Sequence, residues 1–166
     1  MSAPSDWSKA YARQARADFE CWQKLDADRA VAACHRLLLL QMACEKLTKA
    51  HLCTHGSDPR DLSRSHAYVA KNLPIIIRQI LATGYSVKNP QGLLKHTGHL
   101  AQEIEMLAPA IKRGGQRPDN CEYPWEDERG QIHSPLDWTF VPARLLMSPA
   151  GRTFLKLIRI AIARLE

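Results

Sequence analysis

The sequence predicts an all-α, up-down bundle of four to five helices, with a proline- and aromatic-rich excursion before the last helix. Three observations carry that expectation. Apolar residues recur at the helical period through several long segments. Helix breakers separate those segments, at His55-Gly56-Ser57-Asp58-Pro59, at 83–90 and at Gly114-Gly115. Prolines 118, 124, 135, 142 and 149 punctuate the stretch 116–149, where no helical period outlasts 141–147. The 166 residues are 45% hydrophobic and 24% charged, the profile of one globular domain spanning 1–166, not of a disordered or fibrous chain.

Each element has its own reason. A first helix is expected over 5–25, where Trp7, Tyr11, Ala15, Asp18 and Trp22 form a stripe with Phe19 beside it. The second, over 27–53, is apolar around most of its circumference, through Cys34, Leu37, Leu38, Leu40, Met42, Cys44 and Leu47, so it belongs at the bundle centre. Arg36, Lys46 and Ala50 mark its narrow water-facing side. Gln41 and Glu45 fall inside the apolar arc; burying them unpartnered costs a few kcal/mol, so they need each other at i, i+4 or groups on neighbouring helices. A third helix starts near Ser63 or Ser65 and carries His66, Tyr68, Val69, Leu73, Ile76, Ile77 and Ile80. Pro74 either kinks it or divides it into two. Gly84 is its stop signal. A fourth runs over 91–112, with Pro109 a candidate early end. The excursion 116–149 is read as extended chain and turns, packed on the body by Tyr123, Trp125, Trp138 and Phe140. Ser148 caps the last helix and Pro149 opens it, with Phe154, Ile158, Ala161 and Leu165 facing inward.

The formal net charge of +6 and a pI near 9.2 suit an acidic partner such as RNA, DNA or a nucleotide. Five cysteines without a Cys-x-x-Cys pair read as buried free thiols. The longest apolar runs, 37–40 and 73–77, fall far short of the ~20 residues that span a bilayer. The start, Met1-Ser2-Ala3-Pro4-Ser5-Asp6, lacks the charged-then-apolar pattern of a secretory leader, so a cytoplasmic protein without membrane contact is expected.

The run Gln41-Met42-Ala43-Cys44-Glu45-Lys46-Leu47-Thr48-Lys49-Ala50-His51-Leu52 resembles the second-helix signature of HEPN domains: Gln, three residues, Glu-Lys, two residues, Lys-Ala and an aliphatic. Asp18 stands where those domains carry an acid in their first helix. His66 resembles the Thr/Ser-His start of their third helix, and Asn120-Cys121-Glu122-Tyr123-Pro124-Trp125 is similar to the Arg-Tyr-Pro-Asp element before their final helix. The resemblance covers residues 6 to 165. It implies a helical bundle that dimerises, in a family of metal-independent RNA-cutting toxins, immunity effectors and nucleotide-binding accessories. The cutting members place an Arg, four to six residues, His motif near the start of the final helix. There, an imidazole moves protons and a cation stabilises the phosphorane. Residues 149–166 hold no histidine. The resemblance therefore implies a non-catalytic or divergent member, a homodimer that binds a nucleotide or RNA or assists a nucleotidyltransferase-type partner.

The Arg–His spacing recurs at Arg29 to His35 and Arg60 to His66, as chance allows in a chain this rich in both residues. The alternative function is an endoribonuclease of toxin–antitoxin or defence type, using His66 with Arg60 or Arg117. The candidate ligand-facing set is Asp18, Gln41, Glu45, Lys49, Asn120, Glu122 and Tyr123. For Asp18, Gln41, Glu45 and His66 the competing reading is a buried polar network that only sets helix register, which would make the chain a structural interaction module. Arg113 and Arg117 flank Gly114-Gly115 and either approach phosphate or form a solvated turn. His51, Cys53 and His55, with His35 or Cys44, form one loose group where zinc sites show two paired ones, so no metal or cofactor is expected.

Overall fold

The computed structural model describes residues 4–109 and 119–166. Helix α1 spans Pro4–Ala27 and α2 spans Ala33–Thr54. They form an antiparallel hairpin whose seam is marked by three pairs: Ser8 Oγ donates to the Ala50 carbonyl at 3.0 Å, Lys46 Nζ to Asp18 at 2.6 Å, and Arg36 to Asp26 at 3.0 Å. Ser8, Ala12, Ala15, Phe19 and Trp22 supply the buried stripe of α1, at alternating steps of four and three residues. Trp7 stays exposed, one position off that stripe.

The seam corrects one expectation. Arg36, Lys46 and Ala50 do not form a free water-facing side; the Arg36 and Lys46 side chains are only 20% and 21% exposed. They form the side of α2 on which α1 lies, with Ala50 wholly enclosed and both cations paired to α1 carboxylates. The narrow polar side is narrow because a neighbouring helix supplies its counter-charges. The break between the two helices also falls later than periodicity suggests. Asp28 accepts from the Ala30 N–H at 2.9 Å, an Asx turn that competes with helical bonding and postpones α2 to Ala33.

A one-turn helix α3, Pro59–Leu62, follows, capped by Asp58 through the Arg60 N–H at 2.8 Å. Next come α4, Val69–Ala82, and α5, Pro90–Glu105. Pro74 lies inside an unbroken α4, where the bond it forfeits is to the Ala70 carbonyl in the first turn. Glu105 closes the antiparallel α4–α5 pair by accepting the Ala70 N–H at 2.9 Å, so the C-terminal end of α5 caps α4. Gly84, at φ +99°, ends α4 in the left-handed region that glycine occupies without a Cβ clash. The fourth predicted helix stops at Glu105, short of Pro109.

The excursion holds more regular structure than its prolines suggest. Strands β1, Trp125–Glu126, and β2, Ile132–His133, pair antiparallel with Trp125 opposite His133. Asp127 organises the turn, accepting from the Arg129 and Gln131 N–H groups at 2.9 Å each and lying 2.9 Å from His133 Nε2. Hydrogen bonding, first from His133 and then from the Gln131 backbone, holds the Asp127 carboxyl down at about 2. The rings of Trp125, His133 and Trp138 meet at centroid distances of 5.0 to 5.9 Å. A 3-10 turn, Pro135–Asp137, leads to α6, Val141–Leu146, and α7 closes the bundle over Pro149–Leu165 with Ser148 as cap. Trp125 and Phe140 are buried and tie the excursion down, whereas Tyr123 points outward, 60% exposed.

The core gathers the inner faces of all five long helices, from Phe19 and Leu40 to Leu73, Leu100 and Leu157. Helix α2 runs through it and packs against α1, α4, α5 and α7. Among the described residues, no helix is long and apolar enough to cross a membrane.

Candidate functional site around Glu45 and His66

Glu45 lies midway along α2, 7% exposed; Gln41, one turn earlier, is 3% exposed. The carboxylate collects three donors. Gln41 Nε2 donates to Oε2 at 2.9 Å, Lys49 Nζ donates to Oε1 at 2.6 Å, and His66 Nδ1 lies 2.8 Å from Oε2. Gln41, Glu45 and Lys49 meet because residues four apart share one face of a helix. His66 arrives from outside. It sits in the turn before α4, not inside a helix, in a segment where Ser65 Oγ accepts the Ala67 N–H at 3.2 Å.

Burial pushes the Glu45 carboxyl upward, but the hydrogen bonds from Lys49, His66 and Gln41 outweigh it and hold the group below its ordinary range. Glu45 is therefore an ionised acceptor, and the proton on its histidine neighbour belongs on Nδ1. In the neutral ring this leaves the lone pair on Nε2. The His66 side chain is 45% exposed, so a buried carboxylate orients an imidazole that solvent reaches. Two tyrosines adjoin the cluster. The Tyr11 phenol is raised by burial, then by the proximity of Cys53, Glu45 and Tyr68.

The remaining sequence candidates separate from this cluster. Asp18 faces α2 one residue round from Glu45 and pairs with Lys46 and with Gln14 Nε2 at 2.9 Å. Consecutive helix positions diverge by about 100°, so Asp18–Lys46 and Glu45–Lys49 are distinct pairs. Asn120 is buried, and its side-chain oxygen accepts the Glu122 and Tyr123 N–H groups at 2.9 and 2.7 Å, which shapes its own turn. That turn lies near the N-terminal end of α2, beside Cys34. Burial, followed by the neighbouring Cys34, Glu122 and Asp119, raises the Cys121 thiol, and Cys34 precedes Glu45 by about 16 Å of helix. Arg60 is exposed on α3, and Arg113, Gly114, Gly115 and Arg117 fall outside the described residues.

Lys49 is readable from sequence as part of the i, i+4 ladder; the Tyr11 and Tyr68 contributions are not, because they depend on how α1 and the turn before α4 close over α2. The His51 and His55 rings meet at a tilt, 4.4 Å between centroids, with burial and then His55 pushing the His51 imidazole down. Among the described residues, no group of three or more His, Cys, Asp or Glu side chains is placed to hold a metal ion. No family model, curated protein or solved structure matches the chain.

Proposed function

We propose that the chain is a divergent HEPN-like domain that acts as a cytoplasmic homodimer and binds a nucleotide or RNA, alone or beside a nucleotidyltransferase-type partner. The observation that carries this reading is the Glu45–His66 pair: a solvent-reached imidazole fixed by an enclosed, ionised carboxylate, on a chain of net charge +6. Its support is chemical. A fixed donor–acceptor edge on a chain of positive net charge suits the phosphate and base edges of a nucleotide. The signature residues Gln41, Glu45 and Lys49 also serve one shared purpose, which a chance match does not require.

Thermal unfolding in the presence of a nucleotide panel and short single-stranded RNAs tests the reading. A ligand that binds only the folded chain raises the melting temperature by mass action, and His66→Ala should remove the rise given by RNAs that carry no terminal phosphate monoester. A flat response across the panel favours the structural interaction module instead. Light scattering at micromolar concentration should give twice the chain mass; the monomer mass would count against the dimer.

A second reading has its own observation. With Nδ1 held by Glu45, His66 Nε2 is set up to take the proton from a ribose 2′-hydroxyl attacking the adjacent phosphate, and to return one to the leaving 5′-oxygen. Arg60 or Arg117 would supply the cation for the phosphorane. Purified protein should then cut RNA without metal, as a toxin or defence nuclease does, and His66→Ala should abolish cutting with the fold intact. Failure of the wild type to cut RNA removes this reading.

A further inference from the structure

A cleft of about 330 Å³ opens where the end of α1, the start of α2, α6 and α7 converge. It is separate from the site above: Arg36, one of its lining residues, precedes Glu45 by about 13 Å of α2. Its size sits at the lower end of small-molecule sites, roughly 300 to 1,000 Å³. Leu37, Leu146, Leu155 and the edge of the buried Trp22 form an apolar wall, and Met147, 69% exposed, stands at the mouth.

Arg29, Arg36 and Arg152 line this space beside a single carboxylate, Asp26, a surplus of two formal positive charges; Arg152 also donates to the Met147 carbonyl at 2.6 Å. Asp26 engages only one terminal nitrogen of Arg36, at 3.0 Å. The Arg36 Nε is fully enclosed and has no hydrogen-bond partner among the described residues. An enclosed guanidinium N–H without an acceptor costs free energy that a bound anion recovers. The first residue of α2, Ala33, also lines the cleft. That 22-residue helix follows Ala32 with no side-chain cap and no acid in its first turn, so its positive dipole end begins at the cleft without a counter-charge of its own.

We propose that this cleft binds a phosphate monoester with an aromatic or other flat apolar body. The head lies among Arg29, Arg36, Arg152 and the α2 N-terminus; the body lies on Leu146 and Leu155. Charge selects the head group. A phosphate monoester carries about −1.5 to −2 at neutral pH, which matches the surplus of two, whereas a carboxylate leaves half of it unanswered. Guanidinium forks match phosphate oxygens in pairs. The apolar wall separates an organic phosphate from the inorganic ion. This assignment does not depend on what His66 does.

Titration calorimetry with phenyl phosphate, inorganic phosphate and benzoate tests it. Phenyl phosphate is expected to fill one saturable site per chain and to bind more tightly than the other two probes. Arg29 and Arg152 are exposed, so the double variant Arg29→Gln/Arg152→Gln keeps its fold, checked by circular dichroism, and loses about tenfold or more in affinity. Arg36→Lys keeps the charge opposite Asp26 but lacks the Nε donor, and is expected to weaken phenyl phosphate by a similar factor. His66→Ala leaves the affinity unchanged. No saturable binding, equal binding of inorganic and phenyl phosphate, full affinity in the double variant, or loss of affinity in His66→Ala would each overturn the proposal.

Discussion

His66 Nδ1 lies 2.8 Å from Glu45 Oε2, across twenty-one residues of chain and a change of helix. The contact completes a carboxylate that Gln41 and Lys49 satisfy only in part. It also converts a surface histidine from a free rotor into a group of fixed direction. Buried charges persist only when paired, so the cluster is as much a constraint on the core as a candidate site.

Glu45→Ala leaves the Lys49 ammonium enclosed without its counter-ion, since the Lys49 side chain is itself nearly inaccessible. Breaking one side of such a pair costs roughly 3–5 kcal/mol. Glu45→Gln keeps an oxygen for Lys49 and is expected to lose less, about 1–3 kcal/mol. Urea unfolding of both variants measures the difference. An alanine variant as stable as the wild type would show that Lys49 finds water, and that the cluster is not closed.

The same carboxylate gives the stability a pH signature. Its folded value is lowered from an ordinary 4.5, so its contribution is fully present above the unfolded value and is lost as pH falls through the folded one. The gap in unfolding free energy between wild type and Glu45→Gln should therefore stay constant from about pH 7 to about pH 5, then narrow on further acidification. A gap that widens toward acid would reverse the assigned direction.

Local rules make the helices legible, and distant contacts hide the rest. The start of helix α7 is readable to the residue because Ser148 and Pro149 write it in side-chain and backbone chemistry. The Gln41–Glu45–Lys49 ladder is readable because it needs only helical spacing. The seam partners of Arg36 and Lys46 are not, since periodicity gives the face of a helix but not what lies on it. Sequence places the start of α4 too early because Ser65 and His66 resemble a helix opening, while His66 is recruited by Glu45 and Ser65 closes a local turn. The hairpin at Trp125–His133 has strands of two residues, too short for a strand-like alternation to show.

The thiols should divide one against four. Cys21 is exposed on α1, while Cys34, Cys44, Cys53 and Cys121 are buried. Burial also raises the thiols of Cys44, Cys53 and Cys121, which suppresses the reactive thiolate further. Brief iodoacetamide treatment at neutral pH, read by intact mass, is expected to add one label to the folded chain and five after urea unfolding. More than one rapid label in the folded state would mean that α2 or the turn at Cys121 opens readily.

Gly151 tests the junction of α6 and α7. A glycine inside a helix usually improves on replacement by alanine, by about 1 kcal/mol of helix propensity. Here a Cβ would meet the Leu145 carbonyl oxygen at 2.3 Å and Leu146 Cα at 2.6 Å, both backbone atoms that no rotamer change can move. Relief requires α6 to shift as a unit, and displacements of that kind in packed interiors cost about 1–3 kcal/mol. The steric term wins, so Gly151→Ala should destabilise the chain. Gly98→Ala in α5, where a Cβ would meet nothing within 4 Å, should be neutral or stabilising. Thermal unfolding of the two variants side by side gives the answer. A stabilised Gly151→Ala would show that α6 is free to move against α7, and with it the apolar wall that Leu146 contributes to the arginine-lined cleft.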